Sequence, residues 1–225
     1  MPRHRQGTQR IPPLRVVTVT NLKGGSGKST CAGLLIHAWA ALGYRVLGVD
    51  ADPQGTLQRW WRDGGWSVPV MSLASHRMHE EHRGLRGLVS ADLYDLVVVD
   101  TPPLELQRGI VLSAIRAATD VVVTLAPTSA EWDVLPKVWD AIGEVAMTRT
   151  RPAPVSVLWN RVRVGTTAAR VYREQLVERG RYCLVAAIPL AERYAQAIGA
   201  PVELGPGDVA IQAAEEITRR GGWAA

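Results

Sequence analysis

The 225-residue sequence predicts an α/β fold, a doubly wound and mostly parallel sheet with helices on both faces. Three observations predict it. Short aliphatic or β-branched runs recur along the whole chain, separated by longer segments with helical spacing. The runs are nearly continuous rather than alternating, as expected of parallel strands covered on both faces. The first run passes through a glycine-rich loop straight into a helical segment, the opening of a right-handed strand–helix–strand crossover.

Taken in order, residues 1–15 are polar, proline-bearing and basic, with four Arg and no acid, and read as a disordered lead-in. Residues 16–225 read as a single domain, since neither an internal repeat nor an interdomain linker interrupts the alternation. Strands are expected at Val16–Thr20, Val46–Asp50, Leu96–Asp100, Val121–Ala126, Val155–Trp159 and Leu184–Ile188. After the first of these, Cys31, Leu34, Leu35, Ala38 and Leu42 form an apolar stripe at helical spacing, opened at Ser29–Thr30 and closed by Gly43.

Composition narrows the function. The apolar content of 47% with mean hydropathy near zero fits a packed globular chain. No apolar run approaches the roughly 18–20 residues that span a bilayer, and the basic N-terminus leads into Ile11, Pro12 and Pro13 rather than a secretory apolar segment. Cys31 and Cys183 lie in apolar elements without metal-ligand spacing, so a reduced cytoplasmic protein is the simplest expectation. The net charge of +5 is uneven: the basic surplus lies in residues 1–15 and 149–225, whereas acids outnumber Lys and Arg in residues 16–148. Only three cations are lysines, and two of them, Lys23 and Lys28, share one glycine-rich loop. A compact ammonium on a flexible stem suits that loop better than a planar guanidinium.

The loop reads Lys23-Gly24-Gly25-Ser26-Gly27-Lys28-Ser29-Thr30. Its glycines permit a tight turn that points successive N–H groups inward, and the helix N-terminus adds partial positive charge. Lys28 is placed to reach β- and γ-phosphates and the Ser29 hydroxyl to ligate Mg²⁺. Leu22 stands where the general phosphate-loop pattern has glycine, and Lys23 enters the loop early. This deviant Walker A form resembles the ParA/MinD family of P-loop ATPases. Two further segments carry the resemblance: Asp50-Ala51-Asp52-Pro53-Gln54-Gly55, and the run Tyr94–Asp100 followed by Thr101-Pro102-Pro103.

The strand-end carboxylates Asp50 and Asp100 are expected, with Ser29, to hold Mg²⁺ or its waters, because hard cations choose oxygen ligands. The resemblance implies ATP as the nucleotide and a homodimer in which Lys23 reaches the partner's phosphates. It further implies that Asp52 positions the attacking water, Asn160 lies against the adenine and Pro189 walls the base pocket. Small ParA-type proteins bind DNA without sequence preference as ATP dimers, and an activating partner, ParB-like or a cargo adaptor, stimulates hydrolysis and release. The resemblance therefore implies a cytoplasmic, nucleoid-associated ATPase without an additional N-terminal DNA-binding domain, which segregates DNA or positions a cargo such as chemoreceptor clusters or carboxysomes. Arg161, Arg163, Arg170 and Arg173 are the expected phosphate contacts, the last two projecting from one helix side.

The competing class is a MinD-like membrane switch, which needs a terminal amphipathic helix. The segment 208–220 offers Val209, Ile211 and Ile217, but Glu215 and Glu216 suit anionic lipid poorly, so no membrane is expected. A metabolic synthetase or tyrosine kinase on the same loop lacks a substrate-sized segment or a terminal Tyr cluster. Trp60, Trp61 and Trp66 read as packing residues, and His76, His79 and His82 as solvated rather than metal-binding.

Overall fold

The structure, a computed structural model, describes residues 14–80, 82, 84–163, 165, 167–195 and 200–223. Among them seven strands form one sheet: β1 (Arg15–Thr20), β2 (Val46–Asp50), β3 (Val70–Ser72), β4 (Leu96–Asp100), β5 (Asp120–Leu125), β6 (Val155–Val162) and β7 (Tyr182–Pro189). Their order is β3-β2-β4-β1-β5-β6-β7 and every pairing is parallel. The helices are α1 (Lys28–Ala41), α2 (Thr56–Gly64), α3 (Leu85–Leu88), α4 (Arg108–Ala117), α5 (Ser129–Trp132), α6 (Leu135–Met147), α7 (Thr167–Glu178), α8 (Glu192–Ala195) and α9 (Val209–Arg220).

Strand alternation sorts side chains between two apolar layers. Val17, Val19, Leu96 and Val98 join α1 and α9 on one face. Val16, Val97 and Val99 join α4 on the other, where α6 and α7 cover β5 and β6. Both faces of the central strands are thus dry, the physical reason for their continuous apolar runs. The edge strand β7 instead alternates exposed and buried residues. Its outward N–H at Val185 donates to the buried Glu216 carboxylate of α9 at 2.8 Å, which blunts the open edge.

Several expectations need correction. The lead-in falls outside the described residues up to position 13, but Leu14 is buried in the core and Arg15 already pairs with Leu96 in β1. β3 was not expected: it is three residues long, too short for a period, and it follows Pro69. Helix α1 begins at Lys28, and Leu42 is its exposed C-cap rather than part of the buried stripe. The helix is buried on most sides because α9 packs over the face that the sheet leaves uncovered.

The tryptophan trio faces inward. Trp66 is buried, meets His37 edge-on at 4.7 Å and donates its indole N–H to the Ala200 carbonyl at 3.0 Å. Trp60 and Trp61 pack at the border of the same core. His79 Nδ1 lies 3.0 Å from the Ser113 hydroxyl. In α9, Ala210, Ala213, Ala214 and Ile217 are buried against α1 and β7, so the helix's apolar face is committed to the core. No helix among the described residues is long and apolar enough to cross a membrane.

Candidate functional site

The site lies at the carboxyl ends of β1, β2 and β4, beside the point where chain direction across the sheet reverses around β1. Register fixes its members. Asp50 stands opposite Asp100 across the β2–β4 pair, and Asp100 stands opposite Val19, two residues before the loop begins at Asn21. Parallel pairing thus delivers both carboxylates to the loop that follows β1.

The loop turns through Gly25 (φ 73) and Gly27 (φ 83), left-handed conformations that favour glycine. Gly27 is also the N-cap of α1 and supplies no side-chain cap, which leaves the first N–H groups of the helix open to an anion. Lys28 is buried, and its ammonium donates to the Lys23 carbonyl at 2.8 Å and to the Ser26 hydroxyl at 3.4 Å. Burial pushes its pKa down, while Asp100, Asp52, Glu131 and Glu105 hold it up.

Asp100 is fully buried, and neither carboxylate oxygen meets a hydrogen-bond partner, although the Ser29 hydroxyl is near enough to favour its charge. Burial pushes its pKa up to about 7, Asp50 and Asp52 add to the rise, and Ser29 and Lys28 oppose it. A buried carboxylate with orphaned oxygens beside a serine hydroxyl suits a hard cation that brings its own waters and phosphate ligands, as Mg²⁺ does. No cluster of three or more His, Cys, Asp or Glu able to hold a metal occurs among the described residues.

Asp50, the other strand-end carboxylate expected at the cation, also accepts backbone N–H groups. One of its oxygens accepts the Asp52 N–H at 3.0 Å and the other the Gln58 N–H at 2.9 Å, which caps the first turn of α2 from the neighbouring strand. Its pKa is raised by burial against those hydrogen bonds. Asp52 accepts the Gln54 N–H at 2.9 Å and stays half-exposed at the mouth of the loop. Gly24 lies against Pro103 of the segment after β4, and Thr30 continues α1 behind Ser29.

Asn160 and Arg161 lie near the end of β6, under the loop. The Asn160 amide donates to the Ser26 carbonyl at 3.2 Å and accepts the Arg161 N–H at 2.9 Å, while the Arg161 guanidinium donates to the Gly25 carbonyl at 2.7 Å. Arg161 is thereby engaged with the loop while its side chain stays exposed, and Asn160 is buried beneath it. Pro189 stands opposite Val162 in the β6–β7 register. Arg163 is exposed beyond the strand end. Arg170 pairs with Glu174 at 2.9 Å. Arg173 does not project beside it: one guanidinium nitrogen is buried, because Leu176, one turn on, carries that side of α7 into the core.

Sequence reasoning missed Asn21, whose amide donates to the Thr124 carbonyl and to Glu131, both at 2.7 Å, tying the loop entrance to β5 and α5. A polar residue between an apolar strand and a phosphate loop was the available signal.

A description of the CobQ/CobB/MinD/ParA nucleotide binding domain matches residues 17–201. The chain belongs to this family. Within the CobQ/CobB/MinD/ParA family it is 41% identical over 121 residues to maintenance of carboxysome distribution protein A of Gloeobacter kilaueensis, a match covering 54% of this chain and 53% of that protein. It is 32% identical over 148 residues to the chromosome-partitioning ATPase Soj of Thermus thermophilus, covering 54% and 57%. The chain thus spans about half the length of the curated relatives it matches. Its fold is shared with cobyrinic acid a,c-diamide synthase of Mycobacterium smegmatis with bound ADP and magnesium (TM-score 0.71, 22% identity, 94% of this chain and 96% of that one).

Proposed function

We propose that the chain is a slow ATPase of ParA type. In its Mg·ATP state it forms a homodimer that binds DNA without sequence preference and segregates DNA or positions a cargo, and a partner protein stimulates hydrolysis. One observation carries the reading: a phosphate-sized loop with two lysines curls over a buried aspartate whose oxygens have no partner. The names of the partition and carboxysome-distribution relatives favour that class over a metabolic enzyme. The proposal takes the ATPase domain to include Leu14 and Arg15, which lie in the core and in β1.

The proposed residue roles rest on position and on the family resemblance. Lys28, now held on the Lys23 carbonyl and the Ser26 hydroxyl, would exchange those contacts for phosphate oxygens. Ser29 and Asp100 would hold Mg²⁺, which when bound offsets the charge of the phosphates. Asp50 acts on that pair from the neighbouring strand while fixing α2. Asp52, at the loop mouth, would orient the attacking water. Lys23 would reach across a dimer interface.

The test is nucleotide titration and phosphate release with the purified chain. Wild type is expected to bind Mg·ATP and turn it over slowly. Lys28→Ala is expected to lose binding by two orders of magnitude or more, about 3 kcal/mol for a desolvated charge-assisted contact. Unchanged affinity in this variant removes the phosphate-loop assignment.

A further inference from the structure

The end of β6 departs from regular strand geometry at Arg161. Arg161 has φ 54, the only positive φ of a non-glycine among the described residues. It coincides with the register shift between Trp159 and Val162 against β7. In a regular strand, neighbouring side chains point to opposite faces. A bulge with a left-handed residue removes that alternation. Here consecutive side chains, Asn160 and Arg161, both reach the glycine-rich loop, on the adjacent carbonyls of Ser26 and Gly25. The approach is close: a Cβ on Gly27 would lie 2.0 Å from the Asn160 amide nitrogen.

Which carbonyls are held decides what the loop presents. In a trans peptide the C=O and the following N–H point in opposite directions. Fixing the Gly25 and Ser26 carbonyls toward β6 therefore turns the Ser26 and Gly27 N–H groups the other way, toward the interior of the loop. Those are the donors that an anion nest needs.

We propose that Asn160 and Arg161 are positioning residues that clamp the loop from beneath and pre-aim the Ser26 and Gly27 N–H groups at bound polyphosphate. This inference rests on the nucleotide reading above and deepens it. Left-handed backbone in a non-glycine residue is unfavourable, and its persistence here is accounted for by the guanidinium contact it permits. Both ends of the Asn160 amide are engaged within the protein. The clamp would act through the loop, on the phosphate chain whatever base is attached.

The experiment compares Mg·ATP with inorganic tripolyphosphate by titration calorimetry on the full chain. The variants are Arg161→Gly, which keeps the left-handed backbone accessible and deletes the guanidinium, Arg161→Lys, which keeps a cationic donor, and Asn160→Asp, which cannot donate to the Ser26 carbonyl. Arg161→Gly and Asn160→Asp are expected to bind both probes about tenfold more weakly, by the same factor for each, because an unaimed loop must order itself on binding. Arg161→Lys is expected to recover most of the loss, and the thermal midpoint of Arg161→Gly to stay at or above wild type. Loss confined to ATP, with tripolyphosphate affinity retained, would assign Asn160 to the base and overturn the clamp. Wild-type affinity in Arg161→Gly would overturn it as well. Failure of the wild type to bind either probe would instead bring down the nucleotide reading itself.

Discussion

Lys23 and Lys28 lie in the same loop, yet their surroundings differ in a way that separates their roles. Lys28 is buried among Asp100, Asp52, Glu131 and Glu105, which hold an ammonium in a site that would otherwise strip its charge. Lys23 is half-exposed, and its carbonyl rather than its ammonium serves the folded loop, as the acceptor for Lys28. A cation that makes no contribution to its own loop is suited to a second subunit's phosphates. Lys23→Ala is therefore expected to bind Mg·ATP within about threefold of wild type while its ATP-dependent dimer weakens by about tenfold or more, the loss of one charge-assisted contact per site. Light scattering with a non-hydrolysable ATP analogue reads the dimer, and an unchanged dimer fraction refutes the trans role. At this scale the sequence was informative where chemistry is local. The tight turn of the loop at Gly25 and Gly27, and its place between β1 and α1, were legible from residue type and spacing. Asp50's capping of α2 and Asn160's place beneath the loop were not, because both depend on partners 8 and 134 positions away.

Among the elements, α1 carries the loop and is held by what packs on it. His37 of α1 meets Trp66, just beyond α2, and burial pushes its pKa down to about 4. A base with a depressed folded pKa is neutral in the native state while the unfolded chain takes up a proton. The contribution to stability is therefore complete above pH 6.5, falls as pH drops toward 4 and is constant below that. With the partial exposure of this histidine discounted, the swing is about 1–2 kcal/mol. His37→Phe keeps a ring against Trp66 and removes the titration. Urea unfolding of both proteins between pH 7.5 and 4 should show the variant gaining on wild type only below pH 6.5, and a constant difference across the range refutes the assignment. The strands show what periodicity can and cannot report. The buried central strands were legible because both faces are apolar, whereas β3 has three residues and no period to detect. The extension of β6 to Val162 carries polar Asn160 and Arg161, so an apolar run could not mark it.

At the scale of the whole molecule, the basic surplus that composition places in residues 149–225 is distributed by the fold in a way sequence position did not foretell. Arg161 holds the loop, Arg173 turns inward, and Arg179 and Arg181 lie over Trp132 and Trp139. Arg170 remains well exposed, paired only one turn along α7 with Glu174. Exposed pairs of this kind contribute little, so a phosphate can displace the carboxylate at small cost. DNA binding is accordingly expected to require ATP, to tolerate any sequence and to weaken steeply with salt, since arginines read the backbone by charge and each contact releases counterions. A homodimer would double the contacts on one duplex and so turn a weak monomer encounter into measurable affinity. Arg170→Glu removes one such contact per subunit. It should therefore lower the slope of log affinity against log salt by about 2 for a dimer, while basal ATP turnover persists. Glu174→Gln, which releases Arg170 from its intrahelical partner, should strengthen binding a few-fold at low salt. A shift assay over a salt series with ATP and with ADP decides it. Equal binding in both nucleotide states would falsify the switch, and an unaltered salt slope in Arg170→Glu would move the contact surface away from α7.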